Sequence, residues 1–243
     1  MTAIHEAAPA AGLVVRELVV KRETFPIVRG ATLDVRPGQI TVLLGANGAG
    51  KTTLLEALSG VIPAASGTVE LDGASLRKMA RRERARRGLG HVEQGRRIFG
   101  ELTTEENLIV AARPDWSLDE AFTLFPELEQ RRRSRAALLS GGEQQMLVVA
   151  RALAARPKVL MVDEMSLGLA PRVASRLVTT MRTLADSGLG ILLVEQFAAL
   201  ALSVGDTAHV LTQGELAYSG SCQTLAAQPD ILRRAYLGER VNA

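Results

Sequence analysis

Gly45-Ala46-Asn47-Gly48-Ala49-Gly50-Lys51-Thr52 is the stretch that decides the fold, because it satisfies the pattern Gly-x-x-x-x-Gly-Lys-Ser/Thr at every specified position. On its N-terminal side Ile40–Leu44 is a short apolar run of strand type, and on its C-terminal side Lys51–Leu58 reads as a helix ended by Ser59-Gly60. A glycine-rich loop between a strand and a helix is the context in which this pattern cradles phosphate. Successive backbone N–H groups from Asn47 to Thr52 curl round the β-phosphate, helped by the positive end of the following helix. Lys51 then reaches the β- and γ-phosphates, and the Thr52 hydroxyl, with Thr53 beside it, is placed to ligate Mg²⁺. Glycine at 45, 48 and 50 lets the backbone approach phosphate oxygen, which a Cβ would hold away. The competing interpretation, a glycine-rich turn before a buried helix, leaves the lysine unexplained, since its charge opposes the helix dipole unless an anion is present.

Working outward, a second anion-binding device lies far downstream: Leu139-Ser140-Gly141-Gly142-Glu143, just before a hydrophobic helix. One nucleotide site does not require two phosphate-gripping surfaces. The pair implies two copies of the chain, or close relatives, clamping nucleotide between them. Val159-Leu160-Met161-Val162 is a continuous apolar strand that runs into Asp163-Glu164. Two adjacent carboxylates at that position are costly without cations or a task. In an extended strand their side chains point to opposite faces, so Asp163 is assigned to the Mg²⁺ shell and Glu164 to polarising the attacking water. A strand-to-helix cap would use one acid and not two. Gln94 follows the strand Leu89–Val92 on a loop, where a neutral amide can sense both metal and water; by itself it would be an ordinary polar loop residue.

The remaining pattern is that of an α/β chain. Leu13–Val20, Thr68–Leu71 and Ile191–Val194 read as strands, Pro171–Asp186 as a helix, and His209–Leu211 with Glu215–Tyr218 as a closing hairpin around Gln213-Gly214. Ser75–Arg87 reads as a helix capped by Ser75, and Glu143–Ala155 as a helix apolar all round and therefore buried. Thr104–Ala112 and Leu118–Phe125 are short helices in a stretch without β-rich runs, which makes residues 95–145 a small helical subdomain inserted into the core. The segments 1–12 and 239–243 are tails around a single domain spanning 13–238.

Composition fits this. Of 243 residues 47% are hydrophobic but only 3% aromatic, so Ala, Val and Leu build the interior, as parallel strands covered by helices demand. The single cysteine, Cys222, excludes an internal disulfide and an all-cysteine metal cage, and points to a reducing compartment. His5, His91 and His209 are scattered and read as structural. The apolar run Leu189–Val204 is broken by Glu195-Gln196 and falls short of the ~20 residues that span a bilayer; the first twelve residues contain no basic residue and do not form a secretion signal. The net charge is only +3, yet Arg77-Lys78 with Arg81–Arg87 and Arg131–Arg135 form basic blocks. They read either as contacts to nucleic acid or anionic lipid or as solvated helix faces; no aromatic residues are interleaved to stack bases.

In this order, the phosphate loop, Gln94, the Leu-Ser-Gly-Gly-Glu segment and the apolar strand ending in Asp163-Glu164 resemble an ATP-binding-cassette (ABC) ATPase from about Leu13 to Leu237. The likeness is closer to the ATP-binding subunits of high-affinity branched-chain amino acid importers, through Gln94-Gly95-Arg96-Arg97-Ile98-Phe99, Leu102-Thr103-Thr104-Glu105-Glu106-Asn107-Leu108, Leu124-Phe125-Pro126-Glu127-Leu128, Ser166-Leu167-Gly168-Leu169-Ala170-Pro171 and Ala235-Tyr236-Leu237-Gly238. The resemblance implies a P-loop NTPase core of ABC type, a mixed sheet flanked by helices with the helical subdomain inserted. It implies ATP and Mg²⁺ as cofactors, and two ATP-binding subunits (identical or sister chains) paired head to tail, so that Ser140, Gly141 and Gly142 of one, with Glu143 behind them, complete the γ-phosphate site of the other. Membrane permease subunits would dock on the loop after Gln94 and on the helical subdomain. A solute-binding protein would be an indirect partner, no specific nucleic acid is expected, and the subunit would lie peripherally on the cytoplasmic face of the membrane.

Four positions depart from the wider family pattern. Gln196 follows Glu195 where a switch histidine is usual; its amide can donate to the γ-phosphate, which gives it a catalytic role beside Glu164, but cannot take up charge. Met165 replaces a proline, which implies a looser loop after the catalytic glutamate. Phe197 stands where asparagine is common, and where an aromatic residue stacks on adenine this chain has Arg22, with Phe25 close by. Two other classes compete. A soluble cassette ATPase acting on DNA or ribosomes would carry two cassettes or long coiled coils, and a P-loop kinase or GTPase has no use for the serine-glycine segment. Within the importers, urea or another amide is an alternative solute.

Overall fold

A computed structural model describes residues 11–241; the tails expected at 1–12 and 239–243 lie partly outside those residues. Two sheets form the frame. The first is antiparallel, ordered β2-β1-β4-β5, from β1 (Leu13–Arg22), β2 (Phe25–Val35), β4 (Ser66–Leu71) and β5 (Ala74–Ser75). The second is ordered β10-β9-β3-β8-β7-β6, from β3 (Ile40–Leu44), β6 (Leu89–Val92), β7 (Val159–Asp163), β8 (Gly190–Glu195), β9 (Thr207–Thr212) and β10 (Glu215–Ser221). In this sheet β6, β7, β8, β3 and β9 run parallel and only β10 is antiparallel, closing a hairpin on β9. Strands β3, β7 and β8 are buried along their whole length, which is why each reads as an unbroken apolar run rather than an alternation.

Helices cover both faces. α1 (Lys51–Ser59) sits between the two sheets with Leu54, Leu55 and Leu58 in a core shared with Val15, Leu18 and Leu43. α6 (Gly141–Ala154) and α7 (Pro171–Asp186) cover the other face through Leu147, Val149, Leu177 and Met181. Between β6 and β7 the chain is helical: α3 (Thr104–Ile109), α4 (Leu118–Leu124) and α5 (Pro126–Gln130) pack Leu108, Phe122, Phe125 and Leu128 against α6. No helix among the described residues is long and apolar enough to cross a membrane.

Two local expectations give way, and one strand has no counterpart among them. Ser75 does not cap a helix. Asp72-Gly73 turns the chain into a hairpin that pairs Glu70 with Ser75 and Leu71 with Ala74, and α2 (Arg81–Arg87) begins only at Arg81. The long strand β2 has no clear period in the sequence, because Pro26 and Gly30 interrupt it and its ladder with β1 carries three register shifts. α6 begins two residues earlier than expected: Ser140 is its N-cap, the Ser140 hydroxyl accepts from the Glu143 N–H at 3.3 Å, and the Glu143 carboxylate accepts from the Ser140 N–H at 2.7 Å.

Part of each basic block turns inward or toward acids, while Arg77, Lys78, Arg82, Arg86, Arg87 and Arg133 face solvent. Arg84 is buried and donates to the carbonyls of Ala57 (2.7 Å) and Leu58 (2.6 Å), satisfying the C-terminal end of α1. Arg81 pairs with Glu93, Arg131 with Glu143 at 3.5 Å, Arg132 with Glu105 at 2.7 Å and Arg135 with Glu101 at 3.4 Å.

Candidate nucleotide site

The loop 45–50 leaves β3 at the carboxyl edge of the parallel strands, the usual place for a ligand in an α/β sheet. Gly50 has φ of 108°, in the left-handed region, and α1 starts immediately after it. Among the described residues no protein acceptor meets the N–H groups of Gly48, Gly50, Lys51 or Thr52, which leaves these donors unsatisfied at a helix N-terminus. The glycines serve different ends. A Cβ at Gly45 would lie 2.4 Å from the Leu211 carbonyl oxygen, a packing constraint on the protein side, whereas a Cβ at Gly48 would meet nothing within 4 Å.

A cleft of about 360 Å³ opens beside this loop, lined among others by Asn47, Lys51, Thr52, Gln94, Glu164 and Gln196. Lys51 is 5% exposed; its Nζ donates to the carbonyls of Gly45 (2.9 Å) and Ala46 (3.2 Å) and lies 3.3 Å from Glu164 Oε1. The anion that the sequence demanded for a lysine at this helix end is thus supplied from within, by Glu164. The other oxygen, Glu164 Oε2, accepts from Gln94 Nε2 at 2.9 Å. Gln94, expected in the metal shell, is therefore held by the catalytic candidate rather than by Asp163.

Asp163 ends β7 at 2% exposure. Its Oδ2 accepts from the Thr52 hydroxyl at 3.0 Å, and its Oδ1 is buried with no partner. Burial, reinforced by the neighbouring Glu164 charge, raises its pKa to about 6, against the opposing Thr52 hydrogen bond. A buried carboxylate with one idle oxygen beside a threonine hydroxyl has the hard-oxygen chemistry that fits a divalent cation such as Mg²⁺. The divergence of Asp163 and Glu164 has a different cause from the one expected. The strand stops at Asp163, and Glu164 turns away with φ of 46°.

Ser140, Gly141 and Gly142 stand outside this cleft. A Cβ at Gly141 would lie 2.5 Å from the Arg96 guanidinium, and one at Gly142 would lie 2.7 Å from Val173. Arg96 also donates to the carbonyls of Leu167 (3.1 Å) and Gly168 (3.3 Å), so it ties the loop after Gln94 to the loop after Glu164. Two other organising side chains escaped residue-by-residue reading. Asn107, fully buried, accepts from the Phe99 N–H at 2.9 Å and donates to the carbonyls of Phe99, Leu102 and Thr103, which shapes the loop 99–103. Glu195, 1% exposed, accepts from the Ser166 N–H at 3.1 Å and from its hydroxyl at 2.6 Å. A polar residue within an apolar run was the signal for Glu195; Asn107, directly behind Glu105 and Glu106, offered none.

At the rim, Arg22 gives its guanidinium to Glu56 on α1, so the edge of that group is engaged by the protein itself. Phe25 is 69% exposed and lies two residues before Ile27, which lines the cleft.

Comparison with known proteins agrees with the fold. Residues 28–166 match the model of the ABC transporter family. The chain is 40% identical over 213 residues to the high-affinity branched-chain amino acid transport ATP-binding protein BraG of Pseudomonas aeruginosa, covering 85% of this chain and 91% of that one. It is 36% identical over 221 residues to the lipopolysaccharide export system ATP-binding protein LptB of Escherichia coli strain K12, covering 88% and 91%. A solved structure of an ATP-binding subunit of an ABC transporter superposes with a TM-score of 0.80 at 27% identity, covering 94% of this chain and 99% of that one. The mixed sheet with its flanking helices, the phosphate loop and these relatives establish that the chain belongs to the ABC transporter family, as an ATP-binding, ATP-hydrolysing subunit.

Proposed function

We propose that this subunit energises uptake of branched-chain or related amino acids, sitting peripherally on the cytoplasmic face of the membrane beneath its permease. What carries the reading is the convergence of Lys51, Thr52, Asp163, Glu164 and Gln94 on one cleft, while the serine-glycine N-terminus of α6 stands outside it. A phosphate grip that does not serve its own cleft is available to a second ATP-binding subunit, so two chains facing head to tail would each complete the other's site.

In this reading the amides of residues 47–52 and the Lys51 ammonium hold the β- and γ-phosphates, with Gly45, Ala46 and Thr53 framing the loop. Thr52 and Asp163 would hold Mg²⁺, and Gln94 would reach it after leaving Glu164. The cation, when bound, neutralises charge developing between the β- and γ-phosphoryl groups. Glu164 accepts the proton of the attacking water, and Gln196 donates its amide to the γ-phosphate. Ser140, Gly141 and Gly142 of the facing subunit close over the terminal phosphate, with Glu143 fixing their helix end. Binding thereby favours the closed pair and hydrolysis releases it. The helical segment 95–145 carries exposed Phe99, Ile109 and Val110, an apolar face for the permease.

The solute rests on likeness to BraG; likeness to LptB leaves the direction of transport to experiment. The subunit, its co-purifying permease and its solute receptor should be reconstituted in proteoliposomes. ATP-driven accumulation of leucine, competed by isoleucine and valine and abolished by Lys51→Met, is expected. Accumulation of urea instead, or ATPase activity stimulated by duplex DNA with no co-purifying membrane protein, would overturn the reading.

A further inference from the structure

Glu195 is a buried carboxylate that no step above uses. It sits at the carboxyl end of β8, directly before Gln196, and its two oxygens grip one residue on the neighbouring loop, Ser166, through the backbone N–H at 3.1 Å and the hydroxyl at 2.6 Å. Both residues are almost fully buried, at 1% for Glu195 and 4% for Ser166. Burial raises the carboxyl pKa while the Ser166 hydrogen bonds oppose that rise.

Between the strand end at Asp163 and this grip lie only Glu164 and Met165. Glu164 adopts φ of 46°, an uncommon conformation for a residue with a side chain, which persists only where its surroundings over-determine it. Three anchors do so. The Glu164 N–H donates to the Val194 carbonyl at 2.9 Å, Met165 is buried in the core at 1% exposure, and Ser166 is fastened by Glu195. Two of these anchors belong to β8. No proline stiffens the loop at position 165, so the bidentate grip substitutes for a rigid backbone. The same strand end carries Gln196 into the cleft.

We infer that Glu195 is a positioning residue for hydrolysis: by holding Ser166 it fixes the Glu164 carboxylate against Lys51 and Gln94 and sets its distance from Gln196. The inference rests on the assignment of Glu164 as proton acceptor. Truncation of Glu195 frees the loop and lowers turnover while the phosphate grip is kept, because Lys51 retains its Gly45 and Ala46 carbonyl acceptors and the amides of residues 47–52 do not touch Ser166.

The test is steady-state MgATP hydrolysis, with nucleotide affinity and melting temperature measured beside it. Glu195→Ala should lower kcat at least tenfold with KM within threefold of wild type. Glu195→Gln, whose amide oxygen accepts from the Ser166 N–H and whose NH₂ donates to the hydroxyl, should restore kcat to within threefold. Ser166→Ala, which keeps only the backbone bond, should fall between, and Ser166→Ala/Glu195→Ala should be no slower than Glu195→Ala. In a Glu164→Gln background Glu195→Ala should leave the residual rate unchanged. The inference fails if Glu195→Ala keeps kcat within twofold, if KM rather than kcat moves, or if Glu195→Gln is as slow as the alanine variant. Should Glu195→Ala not fold, Ser166→Ala decides: an unchanged kcat overturns the inference. If Glu164→Gln itself turns over normally the proton-acceptor assignment falls; if it is inactive while Glu195→Ala is not, only the positioning role falls.

Discussion

Glu164→Gln is the perturbation for which the structure gives two separable consequences. The glutamine keeps the shape and can still meet Gln94, but it accepts no proton from water. Loss of a positioned general base costs about 10²–10⁴-fold in rate, roughly 3–5 kcal/mol in the barrier. The second consequence concerns affinity. Lys51 Nζ lies 3.3 Å from Glu164 Oε1, so the carboxylate competes with phosphate for the same ammonium. At that separation the attraction is on the order of 1 kcal/mol with the dielectric of water and about 5 kcal/mol at an effective value of 20. Lys51 also keeps its two carbonyl acceptors, at 2.9 and 3.2 Å, whichever residue stands at 164, so the lower figure serves as the conservative bound. Removing the charge should tighten nucleotide binding by about tenfold. Fluorescent-nucleotide titration reads the affinity, a coupled assay the turnover, and gel filtration with ATP the closed pair, which should accumulate. A variant with kcat within threefold of wild type would refute Glu164 as the proton acceptor. Unchanged or weaker nucleotide binding would refute competition for Lys51.

Two further outcomes follow from buried or exposed groups near the site. Burial lowers the pKa of His91 to about 4, and both its ring nitrogens lack a partner among the described residues. Its folded value lies below the unfolded value of 6.5, so the unfolded chain takes up the proton first. Stability from this residue is complete above pH 6.5 and is lost as pH falls toward 4, by up to about 3 kcal/mol. Asp163 and Glu195 shift the opposite way, so the comparison must be with His91→Leu, whose denaturant midpoint should fall less between pH 6.5 and 4.5; an equal fall would refute the account. At the rim, Phe25→Ala should raise KM for ATP about 5- to 100-fold if the ring stacks on the base, at about 1–3 kcal/mol per stacked base. Arg22→Ala, whose guanidinium is given to Glu56, should leave KM within threefold, and the reverse order would show that the arginine holds the base.

Much of this was legible in the sequence because the strongest signals are those in which local chemistry and fold coincide. The phosphate loop lies where a fully buried strand meets a helix, and both elements had to be there for the motif to mean anything. Asp163 and Glu164 were legible as a pair because four apolar residues precede them. What escaped notice depends on contacts distant in sequence. Arg84 reads as one arginine in a basic block, and only the fold brings it to the end of α1, twenty-six residues away at Leu58. β2 was invisible because bulges against β1 destroy its alternation. Glu195 reads as half of a dipeptide interrupting an apolar run; its partner Ser166 lies twenty-nine residues away and becomes a neighbour only through the parallel pairing of β7 and β8.

The reasoning about Lys51 shows what local electrostatics can and cannot dictate. A cation at a helix N-terminus needs an anion, and that requirement follows from the dipole alone. Which anion it finds is set by the sheet: β7 delivers Glu164 to within 3.3 Å, and β8 holds the Glu164 backbone through Val194. The carboxylate assigned to water activation is thus the one that holds the phosphate-binding lysine, and Gln94 holds its other oxygen. Arrival of a triphosphate then does more than fill a cleft. In the proposed mechanism a triphosphate that takes Lys51 would release one oxygen of Glu164, and Gln94 turning to Mg²⁺ would release the other, so the proton acceptor would be freed only with its substrate in place. Lys51→Met should therefore do more than weaken binding: at saturating nucleotide it should leave turnover near background, because Glu164 Oε1 is then free from the outset but the ammonium that would neutralise charge on the transferring phosphoryl group is gone.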